Sequence, residues 1–179
     1  TVSGGFGKIV LGHNDAAADS YIIDESDLVA EDSAPLAISS ATIGTSSEIS
    51  LGQADNNKVA YHLPAMGGLT AGISHHDSGA TGGADAHSYG AKYAMEAGGA
   101  AVTVGYTAAS TENSSKDKDS TNMGVKIVSG DISMIISQGT YEANDEDLTN
   151  MGASVSYKMS DTMTVAAYTF DSEDDLDAG

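Results

Sequence analysis

The chain contains no cysteine and no tryptophan, and proline occurs twice in 179 residues. Without thiols there is no disulfide framework, no thiolate metal site and no cysteine nucleophile. Arginine is missing as well, so the 7 basic residues are all lysines. Against 26 acidic residues they leave a formal net charge of −19. That balance lacks the basic face that nucleic-acid binding needs, and it disfavours docking on an anionic lipid surface. It suits a secreted or surface protein, a cation-attracting pore or a high-salt habitat. No apolar run reaches the length of a membrane-spanning helix. Residues 1–11 also lack the apolar core of a secretion signal.

What the sequence does have is a period of two. Lys8, Lys58, Lys92, Lys126 and Lys158 each fall on the polar side of a short alternating segment. Val59, Tyr61, Ala91, Tyr93, Val125, Ile127, Val155 and Tyr157 fall on the other side. Within residues 100–109, Val102, Val104 and Tyr106 oppose Thr103, Gly105 and Thr107. Within 88–96, Tyr89, Ala91, Tyr93 and Met95 oppose Gly90, Lys92 and Glu96. A soluble β-sandwich would bury such lysines in a dry core without partners. A transmembrane β-barrel gives the apolar side to lipid and the small polar side to a water-filled lumen. The expected fold is therefore all-β, an antiparallel up-and-down transmembrane barrel.

Nine strands are expected, at residues 6–12, 58–63, 69–76, 88–96, 100–109, 122–129, 132–141, 149–159 and 163–170. The longer ones reach the ~9–11 residues that a transmembrane strand needs. Connections alternate between short (65–68, 97–99, 130–131, 160–162) and long (77–87, 110–121, 142–148). Short turns on one rim and long loops on the other are the outer-membrane barrel pattern. Two faces stay ambiguous: Ile135 falls on the polar side, and either Val165 or the pair Tyr168 and Phe170 faces outward. Residues 13–57 break the rhythm, and a stretch so long is usually functional or disordered. A short helix is expected near residues 14–21, with Asn14 or Asp15 capping an alanine run. The apolar residues Leu28, Val29, Pro35, Leu36, Ala37 and Ile38 are candidates to anchor the stretch on a wall.

The opening Gly5-Phe6-Gly7-Lys8-Ile9-Val10-Leu11-Gly12, followed by a long acidic segment rich in Ala and Asp, resembles a strand and the inward-folded third loop of Gram-negative general porins. The alphaproteobacterial, Rhodobacter-like branch is closest in style. Lys58-Val59-Ala60-Tyr61 and Val102-Thr103-Val104-Gly105-Tyr106 fit the same strand idiom. The resemblance covers essentially the whole chain, and its first stretch is the most specific part. It implies a 16-stranded, homotrimeric barrel in the outer membrane of a Gram-negative bacterium, surrounded by outer-membrane lipid. Such a barrel passes small hydrophilic solutes and ions by passive diffusion. The resemblance makes residues 13–57 a constriction loop, with Asp15, Asp19, Asp24, Glu25, Asp27, Glu31 and Asp32 at the eyelet. Opposite them would stand a lumen-facing wall of Lys8, Lys58, Lys92, Glu96, Lys126 and Lys158. The chain departs from the family in lacking wall arginines and in stopping at Asp177-Ala178-Gly179 rather than at a terminal Phe. Nine strands do not close a single-chain bacterial barrel, so the expectation is one part of a longer porin.

The strong acidity predicts a preference for cations. No nucleophile elbow, HExxH motif or P-loop occurs, so neither a reaction nor a cofactor is expected. Asp145, Glu146 and Asp147 supply hard oxygen atoms of the kind Ca²⁺ takes. They lack EF-hand spacing and its glycine, and an exposed acidic turn is the plainer reading. His62 and His75-His76-Asp77 suggest a metal site or a base. Zinc needs three or four convergent ligands, and neighbouring residues on a strand point to opposite faces. The long loops offer a docking surface for phage. Two competing readings stay open: a soluble, acidic surface β-domain of adhesin or surface-layer type, organised by Ca²⁺, and a non-porin barrel such as an adhesin or secretion pore with a plugged lumen.

Overall fold

The computed structural model describes residues 1–28, 56–77, 85–112, 117–143 and 146–175. Ten strands form one antiparallel sheet in chain order, each hydrogen-bonded to the strands before and after it. They are β1 (Val2–Gly4), β2 (Gly7–Asn14), β3 (Asn56–His62), β4 (Leu69–His76) and β5 (Asp85–Ala97). There follow β6 (Ala100–Glu112), β7 (Lys118–Ser129), β8 (Ile132–Ala143), β9 (Glu146–Ser160) and β10 (Met163–Asp175). Among the described residues β1 pairs with β2 alone and β10 with β9 alone.

The meander is all-β and up-and-down, as the alternation predicts. The additional strand is β1, only 3 residues long, which pairs Val2 with Ile9 across a tight hairpin. The expected boundaries fall short for β5 through β10, which run 12–15 residues. The connection expected over 142–148 shrinks to residues 144–145 between β8 and β9. Alternation could not reveal these strand ends. Beyond the apolar band the bare face is polar too, as at Ser110 opposite Asp119 and Asp119 opposite Glu142. Thirteen residues at about 3.3 Å each span about 43 Å. Even tilted by ~40°, such a strand outreaches the ~25 Å apolar band of an outer-membrane barrel.

Short turns close one rim. Gly98 and Gly99, at φ 61° and 82°, make the two-residue turn between β5 and β6. Both lie in the left-handed region, which glycine adopts without penalty and which suits the twist of the flanking strands.

Residues opposed across a ladder share a face, so the register sorts the side chains. One face is bare and apolar: Ile73 and Ile136 are 59% and 60% exposed, and Tyr89, Met123, Met134, Met151, Val155 and Tyr157 join them. Val165 pairs with Tyr157 and belongs to this face, whereas Tyr168 and Phe170 pair with Ser154 and Gly152 on the other. The other face is polar and partly covered; its buried members include Lys58, Ser74, Ser88, Thr107, Ser120, Asn122, Ser137 and Ser154. This arrangement inverts that of a soluble sheet, where the apolar face is the buried one. A charge on the bare face should therefore be costly in lipid and one on the covered face cheap. Ile136→Arg is expected to lower folding stability in lipid vesicles by about 2–4 kcal/mol, and Ser133→Arg by under ~1 kcal/mol. Equal costs in a urea titration would mean that the bare face does not meet lipid.

Candidate functional site

The chain leaves β2 at Asn14 and turns across the covered face rather than away from it. Lys58 Nζ on β3 donates to the backbone oxygen of Asn14 at 3.1 Å. The Asn14 side chain donates back to the Gly12 carbonyl at 2.6 Å. Two 3₁₀ turns follow, Ala18–Ser20 and Glu25–Leu28. The first packs on β4, β5 and β6, the second on β8, β9 and β10.

The expected helix is thus only a 3₁₀ turn, and neither Asn14 nor Asp15 caps it. Its N-cap is Ala17, with no side-chain cap. The wall satisfies the free amides instead. Ala17 N–H donates to Ser74 Oγ at 2.9 Å and Ala18 N–H to Ser88 Oγ at 3.1 Å. These two hydroxyls are themselves 2.7 Å apart. Ala16 N–H donates to Asp19 Oδ2 at 3.1 Å. Further along, Tyr21 Oη meets His62 Nδ1 at 2.8 Å. Glu25 N–H donates to Ser137 Oγ at 3.1 Å, and that hydroxyl donates to Glu25 Oε2 at 2.7 Å.

Glycines make room for this crossing. Gly72 opposes Gly90, Gly105 opposes Gly124, and Gly152 opposes Ser137. None of the five needs a left-handed backbone; what they lack is bulk. A Cβ on Gly90 would stand 2.8 Å from Cβ of Tyr21, and one on Gly105 3.0 Å from the Ile23 side chain. On Gly124 it would strike the backbone of Ile23, and on Gly152 the carboxylate of Glu25. Ala16, Ala17, Ala18, Tyr21 and Ile23 are buried as a result. Ile135, the apolar exception on the polar face, is 1% exposed on β8, which packs against the second turn. A cavity of about 20 Å³, room for a single water, remains between the first turn and the wall, bordered by Lys58, Ser74, Thr107 and Asn122.

The register puts Lys8, Lys58, Lys92, Glu96, Lys126 and Lys158 on this one face, in agreement with their sequence parity. They do not act alike. Lys58 is 4% exposed and tied to the crossing segment. Lys158 sits near a turn and pairs with Asp161 at 2.9 Å. Lys92 and Lys126 are half-buried, whereas Lys8 and Glu96 are exposed.

The acidic candidates divide as well. Asp15 is exposed and Asp19 half-buried. Asp24 and Glu25, at 3% and 0% exposure, are turned into the packing. Asp24 Oδ1 accepts from the Ser26 amide at 2.7 Å and from the Ser26 hydroxyl. Asp27 stays exposed. Its carboxyl is held above the usual range, chiefly by partial withdrawal from water and next by the charge of Asp24, while Lys126 and Lys92 pull the other way. Glu31, Asp32 and Asp145 lie outside the described residues, as do Val29 and the apolar residues at 35–38. The Glu146 side chain also lies outside them, and Asp147 is exposed on β9. Among the described residues no group of three or more His, Asp or Glu side chains is arranged to hold a metal.

Sequence reasoning missed Tyr21, Ile23, Ser74, Ser88 and Ser137 as anchors. The glycines were a usable signal, since a glycine inside a strand often marks the close approach of another backbone. Gly124→Val should therefore loosen the segment without melting the sheet. The expected outcome is faster proteolysis within residues 15–28, with far-UV circular dichroism unchanged. Unaltered cleavage would show that the glycine row does not seat the segment.

Two solved structures resemble the chain in fold. One is a loop L8 deletion mutant of OmpT, an outer membrane protein of Vibrio cholerae, with TM-score 0.53, 16% identity and coverage of 96% of this chain and 72% of that one. The other is in-vitro folded OmpT of Vibrio cholerae in its trimer form, with TM-score 0.51, 15% identity, and coverage of 94% and 67%. No curated protein matches. A sequence model described as Gram-negative porin matches residues 1–179. With its lipid-suited bare face and polar covered face, the chain belongs to the Gram-negative porins, β-barrel proteins of the outer membrane.

Proposed function

We propose that the covered face lines a water-filled channel, that residues 13–57 form its constriction loop, and that small hydrophilic solutes and ions pass by diffusion without a chemical step. The observation that carries this reading is the anchored crossing of residues 15–28, tied to hydroxyls on β4, β5 and β8. A segment fastened across the polar face narrows whatever space that face encloses. Asp27 on one side and Lys92 and Lys126 on the other would set a transverse field there. Asp24 and Glu25 contribute to anchoring more than to that field, because they face the wall.

Cation preference is assigned mainly to the loop rim. Asp77, Asp85, Glu112, Asp117, Asp119, Glu142 and Asp147 all stand at or near the loop-side ends of the strands. Such a ring concentrates cations at the mouth, an effect that salt weakens because screening acts over about 8 Å at 0.15 M. An unpaired strand edge is not tolerated in hydrocarbon. Further strands beyond β1 and β10, to a total of 16, would close the wall. The bare apolar face offers both a lipid contact and the surface for a homotrimer. It also argues against the soluble Ca²⁺-organised domain, which would leave that face in water.

Planar-bilayer recording of the full-length protein under a salt gradient tests the reading. Stable conductance steps with a cation-selective reversal potential are expected; steady impermeability would overturn it. Asp27→Asn should lower the cation-to-anion permeability ratio by roughly two-fold, the scale of one charge in a screened aqueous lumen. Because the Asp27 carboxyl is held above its ordinary range, acidification should neutralise it earlier than a free carboxylate. Part of the cation preference should accordingly vanish above the usual carboxylate range as pH falls. That component should be missing in Asp27→Asn, and its persistence there would assign it to other carboxylates.

A further inference from the structure

The bare face carries one arrangement that lipid contact does not explain. His75 on β4 and His87 on β5 are directly opposed across the ladder. Their rings stack with centroids 4.6 Å apart and planes inclined by 25°. Nδ1 of one lies 3.2 Å from Nδ1 of the other. Two imidazole nitrogens at that separation share either a proton or a cation. Ligands bound at about 2.0 Å lie roughly 3.3 Å apart on a tetrahedral ion and roughly 2.8 Å apart at neighbouring positions of a tetragonal one, a difference that a small ring rotation spans. The observed spacing therefore matches a pair of neighbouring positions on a single metal ion.

Their place in the fold suits a site that water can reach. The ladder row through the pair runs from Leu11 and Val59 on one side to Ser110 and Asp119 on the other. It thus crosses the edge of the apolar band, with Ile73 and Tyr89 below it toward the hydrocarbon. One register step toward the loop rim, Asp85 opposes Glu112 on the same face. Those carboxylates lower the cost of bringing a cation there. Both histidines are exposed. The neighbouring His76 points to the opposite face and meets the Asn57 carbonyl at 2.8 Å, so it is not a third ligand.

We propose that His75 and His87 form a two-imidazole site for a divalent first-row transition ion at the membrane boundary, with water completing the coordination. Imidazole selects Cu²⁺, Ni²⁺ and Zn²⁺ over Ca²⁺ and Mg²⁺, and Cu²⁺ ranks highest among them. The ion clips β4 to β5 next to the loop that joins them. The site rests on strand register and ring geometry, and it stands whether or not the channel conducts.

The test is calorimetric titration of the detergent-folded full-length protein with Cu²⁺ alone, joined to electron paramagnetic resonance below one equivalent. The expected result is one saturable site with hyperfine coupling to two imidazole nitrogens. His75→Gln and His87→Gln should each weaken binding at least ten-fold, while His76→Gln leaves it unchanged. No saturable binding up to 1 mM Cu²⁺ would overturn the proposal. So would a signal that survives in the double variant His75→Gln, His87→Gln, which would place the ion elsewhere. The nitrogen count on the unmodified chain decides the matter even if a variant folds poorly.

Discussion

Everything in this fold depends on the cost of an unpaired backbone group in hydrocarbon. Each bare N–H or C=O there costs several kcal/mol. A sheet in which every strand hydrogen-bonds the next in chain order meets that demand strand by strand, between neighbours in the chain. Once the backbone is paired, side chains need only satisfy their surroundings. The face toward lipid can be thin and aliphatic with scattered Tyr and Met. The opposite face can be hydroxyls, glycines and a few lysines.

A second constraint follows from the first. A crossing segment laid on such a wall brings its own amides, and these must also find partners. The wall answers with serines at the right height and with glycines where the segment comes closest. Ser74 and Ser88 take the amides of consecutive alanines, and Ser137 serves Glu25 twice. Among the described residues hydrophobic burial is modest here, confined to alanines, Tyr21, Ile23 and Ile135. Hydrogen bonds and steric clearance therefore decide the path more than apolar area does.

The wall was legible in the sequence because a period of two maps directly onto two faces. The parity of five lysines found the polar face, and strand β4 was delimited at both ends. The rim of the wall was not legible, since residues such as Ser110, Asp119 and Glu142 are polar on either face once the strand leaves the lipid. The anchors were hidden for a different reason. Tyr21 and His62 are 41 positions apart, and Glu25 and Ser137 are 112 apart. No local pattern couples such pairs. Their acidic neighbours looked alike in sequence, yet Asp24 and Glu25 turn into the packing while Asp27 does not. Only the line of the crossing segment separates them.

That line also has a bearing on how the molecule assembles. The contacts of residues 16–25 are scattered over β3, β4, β5 and β8. No single hairpin holds more than a fraction of them. The seat comes into existence only when strands from β3 to β8 stand in register. Hairpins can zip one after another at low loop-closure cost, but residues 16–25 have their full seat only once those hairpins stand side by side. Until those strands stand together, Asp24 and Glu25 have no wall to be buried against, so their withdrawal from water is a consequence of the finished sheet rather than of any local turn.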